Sequence, residues 1–207
     1  MRTLTKEAQA ALTPEQAIEI LKKGNERFVN NLKANRNLLQ QVNETSEGQY
    51  PLAVILSCID SRTSAELTFD QGLGDIFSVR IAGNILNEDI LGSMEFACKV
   101  AGAKAIVVLG HTKCGAIKGA CDGVKMGNLT TLLQKVEPAI EMEKDTTDNR
   151  TSKNEDFVNN VTENNVHLTK QRILDESEII AELEKNGSIK IVGGMYDVET
   201  GAVTFYE

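Results

Sequence analysis

Cys58-Ile59-Asp60-Ser61-Arg62 and His111-Thr112-Lys113-Cys114 are the two stretches of this chain best equipped for chemistry. Two thiolates and one imidazole form a donor set of the softness that suits Zn²⁺. Three protein ligands leave the fourth tetrahedral position free, which marks a catalytic metal rather than a structural one. A hydroxide on that metal needs a hydrogen-bond acceptor to orient it, and Asp60, two residues from a ligand, can be that acceptor. Arg62 can hold Asp60 ionised through a bidentate pair. The simpler alternatives are that Asp60-Ser61 only caps a helix, that Arg62 is solvated, and that both cysteines are small buried hydrophobes. Two separate clusters would then have to coincide by accident.

Each cluster follows an apolar run rich in β-branched residues, Leu52-Ala53-Val54-Ile55-Leu56 and Ala105-Ile106-Val107-Val108-Leu109. Both read as buried parallel strands. Ligands of open parallel sheets gather beyond the carboxyl ends of the strands, so the clusters can converge although 53 positions separate Cys58 from His111. Further strands are predicted at Ile76–Val79 and Ile189–Val192, with a terminal hairpin over Met195–Tyr206 turning at Glu199-Thr200-Gly201. Helices are predicted at Thr13–Leu32, Ala65–Asp70, Glu88–Val100, Ala116–Cys121, Leu129–Lys144 (broken at Pro138) and Phe157–Lys185. Thr13-Pro14-Glu15-Gln16 is a strong helix start, with a capping box and Pro in the first turn. The segment from Asn35 to Gly48 reads as a polar loop with one short helical stretch. Strands alternating with helices argue an α/β fold, a mainly parallel central sheet of about four to five strands flanked by helices.

A chain of 207 residues suits one domain, 1–207, with 1–48 as a helical N-terminal arm. The net charge of −8 and the absence of a basic cluster predict no nucleic-acid and no membrane partner. No apolar stretch approaches the roughly 20 residues that span a bilayer. Met1 to Ala11 lacks the apolar centre of a secretory signal, and a cytoplasmic location is expected. Of four cysteines, Cys58 and Cys114 are the candidate ligands. Cys98 and Cys121 read as inert helix residues, and a two-disulfide framework is the weaker alternative.

The signature Cys-x-Asp-Ser-Arg followed by Gly-His-x-x-Cys-Gly, here Cys58 to Arg62 and Gly110 to Gly115, resembles that of the β-class carbonic anhydrases. The stretch from Phe69 to Asn84 and the ending Gly193 to Gly201 resemble the same family, so the likeness runs from about Thr13 to the C-terminus. It implies a zinc lyase, one Zn²⁺ per chain held by Cys58, His111 and Cys114, that hydrates carbon dioxide reversibly to bicarbonate through a zinc-bound hydroxide. Asp60 and Arg62 are implied as the catalytic pair. Gln49, Phe77, Ala82, Phe96 and Gly115 are implied as the substrate pocket, with Phe96 standing where plant-type members carry tyrosine. Read without the resemblance, Phe77 and Phe96 are core residues and Gly115 is a turn glycine.

The resemblance also implies a homodimer or homotetramer, in which the Thr13–Leu32 helix lays its Ile18, Leu21 and Phe28 face on a second subunit. The alternative is that this helix packs on its own sheet. Asp60 could also swing onto the metal and close the site. With Gln49 present and no tryptophan in the chain, the open form is expected near neutral pH. Two rival activities remain: hydrolysis of a related small molecule such as carbon disulfide, and a zinc-containing scaffold without turnover.

Overall fold

The apolar runs that end in the two clusters are neighbouring strands at the centre of one sheet. A computed structural model describes residues 3–206, and Met1, Arg2 and Glu207, at the ends of the expected domain, lie outside the described residues. Strands β1 (Ala53–Ser57), β2 (Ile76–Arg80), β3 (Ala105–His111), β4 (Lys190–Tyr196) and β5 (Val203–Tyr206) stand in the order β2-β1-β3-β4-β5. The β4–β5 pairing is antiparallel and the others are parallel. From β1 the chain passes first to β2 on one side and then to β3 on the other. This reversal opens a crevice beyond the carboxyl ends of β1 and β3, where open α/β sheets bind ligands.

Strands β1 and β3 are buried along their whole length, so alternate side chains feed opposite faces. Val54, Leu56, Ile106 and Val108 pack with Met94, Val166, Ile173 and Ile180 on one face. Ala53, Ile55, Ala105 and Val107 pack with Ala17, Ile18, Leu21 and Phe69 on the other. A third cluster at the carboxyl end joins Cys58 and Cys114 to Ile117, Leu133, Phe157 and Val161.

Ten α-helices surround the sheet among the described residues: α1 (Lys6–Ala11), α2 (Pro14–Val29), α3 (Leu38–Glu44), α4 (Ala65–Thr68), α5 (Glu88–Glu95), α6 (Gly115–Cys121), α7 (Gly127–Gln134), α8 (Glu137–Met142), α9 (Glu155–Glu176) and α10 (Glu178–Lys185). The predicted capping box at Thr13 forms, with the Gln16 amide N–H on Thr13 Oγ1 at 3.2 Å and the Thr13 amide on Gln16 Oε1 at 2.9 Å. The helix from Glu88 ends in a π turn over Phe96–Val100. The helix predicted at Leu129–Lys144 is two, because Pro138 sits in the first turn of α8, where its missing N–H costs nothing. Phe157–Lys185 also divides. Ser177 adopts an extended backbone, caps α10 through the Ile180 amide at 3.2 Å, and donates to Glu95 at 2.6 Å. Strand β4 runs four residues beyond its predicted end at Val192, since Gly193 and Gly194 continue to pair with β3.

Helix α2 departs from expectation. Its Ile18 and Leu21 are buried on this chain's own sheet rather than held for a partner, and Phe28 packs beside them. Buried Asn25 shows why. Its amide donates to the carbonyls of Thr68 (3.1 Å) and Gly201 (2.9 Å), and its oxygen accepts the Val203 N–H (2.8 Å), tying α2 to the sheet. The exposed apolar side chains of this region lie further on, at Leu32, Leu38, Leu39 and Val42.

The link from α2 to α3 is anchored at Asp70, a buried residue with φ of 45°. Its carboxylate pairs with Arg27 and Arg36 and accepts the Ala34 amide. Burial raises its pKa, but the two guanidinium groups and the amide outweigh burial and hold it below its ordinary value. A carboxyl lowered in the fold contributes stability that is complete above the unfolded value of about 3.9 and is lost as pH falls through the folded one. Asp70→Asn should therefore destabilise the protein at pH 7 by roughly 3 kcal/mol, leaving two guanidinium groups short of their counter-charge. Urea unfolding should show that deficit shrinking as the pH is taken below 4.

Candidate active site

The two strands deliver three ligand atoms to one buried point. Cys58 follows β1 directly, and His111 is the last residue of β3. Cys114 caps α6 three residues later, after a reversal at Lys113, whose φ is 57°. The two Sγ atoms are 3.9 Å apart, and the Cys58, His111 and Cys114 ligand atoms all lie within 4.8 Å of one another. A tetrahedral ion with Zn–S bonds of about 2.3 Å would hold its sulfurs about 3.8 Å apart.

The chemistry of the donors matches this spacing. His111 Nδ1 lies 2.9 Å from the Thr112 carbonyl, which can only accept, so Nδ1 carries the proton and Nε2 is bare. Nε2 is buried without a hydrogen-bond partner among the described residues. A nitrogen lone pair beside two thiols is a ligand set that a soft dication would take up together. Hydrogen bonding from Cys114 lowers the Cys58 pKa, and the Gly83 amide adds a contact at 3.4 Å, while Cys58 and burial raise that of Cys114. The amides of Ala116 and Ile117, at the start of α6, favour the Cys114 thiolate. A dication removes the conflict by accepting both thiolates. By contrast, burial pushes Cys98 up to about 12 and Cys121 up to about 11, so both remain neutral thiols. All four cysteines are free of disulfides.

Asp60 faces the site from one side. Arg62 grips it bidentately, Nε on Oδ1 at 2.9 Å and Nη2 on Oδ2 at 2.8 Å, and the Arg62 amide adds a third bond at 3.0 Å. These bonds hold the carboxyl well below the usual carboxylate range despite partial burial. Asp60 Oδ2 lies 4.0 Å from His111 Nε2, yet Asp60 does not belong to the three-ligand cluster. Its carboxylate is engaged by Arg62. Thr63 Oγ1 donates to the Asp60 carbonyl at 2.9 Å.

Arg80, which sequence reasoning passed over, braces the same turn with Nε on the Cys58 carbonyl at 3.0 Å and Nη2 on the Asp60 carbonyl at 2.6 Å. Asn165 was also passed over. Its amide donates to the Gly83 carbonyl at 2.9 Å, fixing the backbone that touches Cys58. The only sequence signal for Arg80 was its position at the end of a strand next to β1.

A cleft of about 260 Å³ opens from Cys58 and Asp60, lined by Ala82 and Gly115 as predicted and by Leu129 and Leu133 of α7. Gly115 has nothing within 4 Å of where a Cβ would stand, so it leaves open room. Gln49, Phe77 and Phe96 do not line this cleft. Phe77 and Phe96 meet edge-on, with ring centroids 6.3 Å apart, in a separate groove along β2 and α5. Gln49 is exposed beside Gly74, at the amino end of the sheet. Strand β1 alone puts about 17 Å between that end and Cys58.

Residues 53–203 match the family described as Carbonic anhydrase. Carbonic anhydrase 2 of Mycobacterium tuberculosis is 36% identical over 196 residues, spanning 91% of this chain and 90% of its own. The solved structure of the β-carbonic anhydrase CcaA superposes with a TM-score of 0.69 at 26% identity, covering 93% of this chain and 94% of that one. A chain from the crystal structures of two tetrameric β-carbonic anhydrases of Sordaria macrospora shares the fold, with a TM-score of 0.68 at 23% identity over 79% of this chain and 84% of that one.

The ligand assignment has a direct check. Alanine at Cys58, His111 or Cys114 should cost the protein its zinc, since three-ligand binding fails when one is lost. Cys98→Ala and Cys121→Ala should each retain about one zinc per chain by elemental analysis.

Proposed function

The chain belongs to the β-class carbonic anhydrase family, and from that premise we propose how its own residues carry out the hydration of carbon dioxide to bicarbonate. The protein is a zinc-dependent lyase acting on a small molecule. The observation that carries this reading is the buried convergence of Cys58, His111 and Cys114 beside a carboxylate that is paired with Arg62.

Zinc bound by these three residues supplies hydroxide at neutral pH by lowering the pKa of water to about 7. The remaining work falls to the chain. Asp60 stays ionised at any working pH, because Arg62 stabilises its charge, so it acts as a fixed hydrogen-bond acceptor rather than as an acid. Through Oδ2 it would orient the attacking oxygen toward the cleft. Arg62 positions Asp60 and does not itself need to touch substrate. The apolar walls at Ala82, Leu129 and Leu133 suit carbon dioxide, which makes few hydrogen bonds. The open space at Gly115 would leave room for it against the start of α6. His167, the other histidine, stacks on Tyr206 at 5.0 Å and pairs with Glu163, and it does not line the cleft. Proton release is assigned to solvent.

Gln49, Phe77 and Phe96 fit this reading if a second copy supplies them. Strand β2 is a sheet edge with half-buried Phe77 and Val79. Edge strands of this kind invite pairing with another chain. Two β2 strands joined antiparallel about a two-fold axis would bring the amino end of one sheet beside the carboxyl end of the other. The second copy's Gln49, Phe77 and Phe96 would then approach this chain's cleft. We read the unit as a homodimer, able to double to a tetramer, in which the arm 1–48 adds the exposed Leu38, Leu39 and Val42 to the contact. The rest of 1–207 is read as one domain. Free cysteines support a reducing, cytoplasmic setting. No helix among the described residues is long and apolar enough to cross a membrane.

Asp60→Asn should keep zinc while kcat for hydration, followed by stopped flow, falls at least about 100-fold, because a neutral amide both donates and accepts and orients the attack poorly. Full activity in that variant would remove Asp60 from the mechanism. Val79→Arg should shift the protein toward monomer in sedimentation and lower activity without loss of zinc. A wild-type chain that sediments as a monomer at micromolar concentration would contradict the assembly.

A further inference from the structure

The ending Gly193–Gly201 was singled out by its sequence, yet none of its residues lines the cleft. The structure shows what it touches. Thr112, between a candidate ligand and Lys113, makes three contacts with three different atoms. Its carbonyl accepts His111 Nδ1 at 2.9 Å. Its amide donates to the Tyr196 carbonyl at 2.9 Å, extending the β3–β4 pairing past the end of the sheet. Its Oγ1 accepts the Val198 amide at 3.0 Å. The β4–β5 turn that presents Val198 is itself tied. Asp197 Oδ1 accepts the Glu199 amide at 2.7 Å and that of Thr200 at 3.2 Å, and the Gly201 amide closes on the Asp197 carbonyl at 2.8 Å. Glu199 pairs with Lys113, whose backbone stands in the left-handed region. Buried Asn25 of α2 holds the Gly201 carbonyl from behind.

A non-glycine residue in the left-handed region costs of order 1 kcal/mol and persists where its surroundings over-determine it. Here the reversal at Lys113 lets His111 and Cys114 reach one point. The exposed Lys113–Glu199 pair contributes little by itself. The bonds through Thr112 and the Asp197 turn are therefore what fixes the reversal. We propose that Thr112 is a positioning residue, and that the β4–β5 turn acts through it to set the geometry of His111 and Cys114 toward zinc. This rests on the zinc reading of the site. Residues behind a metal ligand commonly change affinity 10- to 100-fold when altered.

The test is zinc affinity, measured by competition with a chromophoric chelator, on wild type, Thr112→Val, Thr112→Ser and Asp197→Ala. Thermal unfolding of the metal-free forms is run alongside. Thr112→Val keeps the size and loses the acceptor, and it should bind zinc about 10-fold more weakly. Thr112→Ser restores the hydroxyl and should return within about threefold of wild type. Asp197→Ala, which removes no bond to a ligand side chain, should also weaken zinc. The absorption bands of cobalt-substituted Thr112→Val should shift, which a loss of stability alone would not cause. Wild-type affinity in Thr112→Val overturns the proposal, and so does an equal loss in Thr112→Ser. If Thr112→Val does not fold, wild-type affinity in Asp197→Ala overturns it instead. A wild-type chain that takes up no zinc would defeat the metal reading itself, a result distinct from any of these.

Discussion

Three ligand atoms packed together at one buried point are the constraint around which this molecule is built. His111 Nε2 is bare and buried, and two thiols stand 3.9 Å apart beside it. Left alone, such a group is a net cost, since a buried polar atom without a partner forfeits about 1–3 kcal/mol and neighbouring thiolates repel. The fold tolerates it because the atoms come from its most rigid part. Strands β1 and β3 are paired in register and buried on both faces. Binding a dication turns the same cost into a gain, so metal affinity and fold are linked.

The remainder of the site reads as a set of braces that leave those atoms no alternative. Arg80 holds the backbone of the Cys58 turn, Asn165 holds Gly83, and Thr112 holds the His111 loop. Arg62 acts differently, since it restrains a side chain that could otherwise compete for the metal. The same bidentate bond keeps Asp60 charged and fixes its carboxylate in place. An acceptor that must stay near a cation without binding it needs such a restraint, and a guanidinium fork supplies it with directionality that a lysine would lack.

The ligands were legible because chemistry and periodicity agreed. Soft donors stood at the ends of two apolar runs, and such runs become central parallel strands. The Asp60–Arg62 pair was legible from their spacing of two residues. Other features depended on contacts that sequence offsets do not carry. The break at Ser177 turns on a hydrogen bond to Glu95, 82 positions away. The apolar stripe of α2 is equally consistent with packing on its own sheet or on a neighbour, and Asn25 decides it through the β4–β5 turn. Gln49 and Phe77 stand at the family's offsets from Cys58, yet neither lines this chain's cleft, because an offset along the chain carries no position in space. Arg80 gave little signal beyond its place at the end of a strand, because its role is to bind backbone carbonyls, which every residue has.

The central claim is that zinc takes three ligands from the chain while Asp60 remains with Arg62. A crystal structure of the zinc-loaded protein grown at pH 8 tests it most directly. The expected result is zinc on Cys58, His111 and Cys114 only, with Asp60 still paired to the Arg62 guanidinium. An Asp60 carboxylate seated on the zinc as a fourth protein ligand, with Arg62 released, would contradict it.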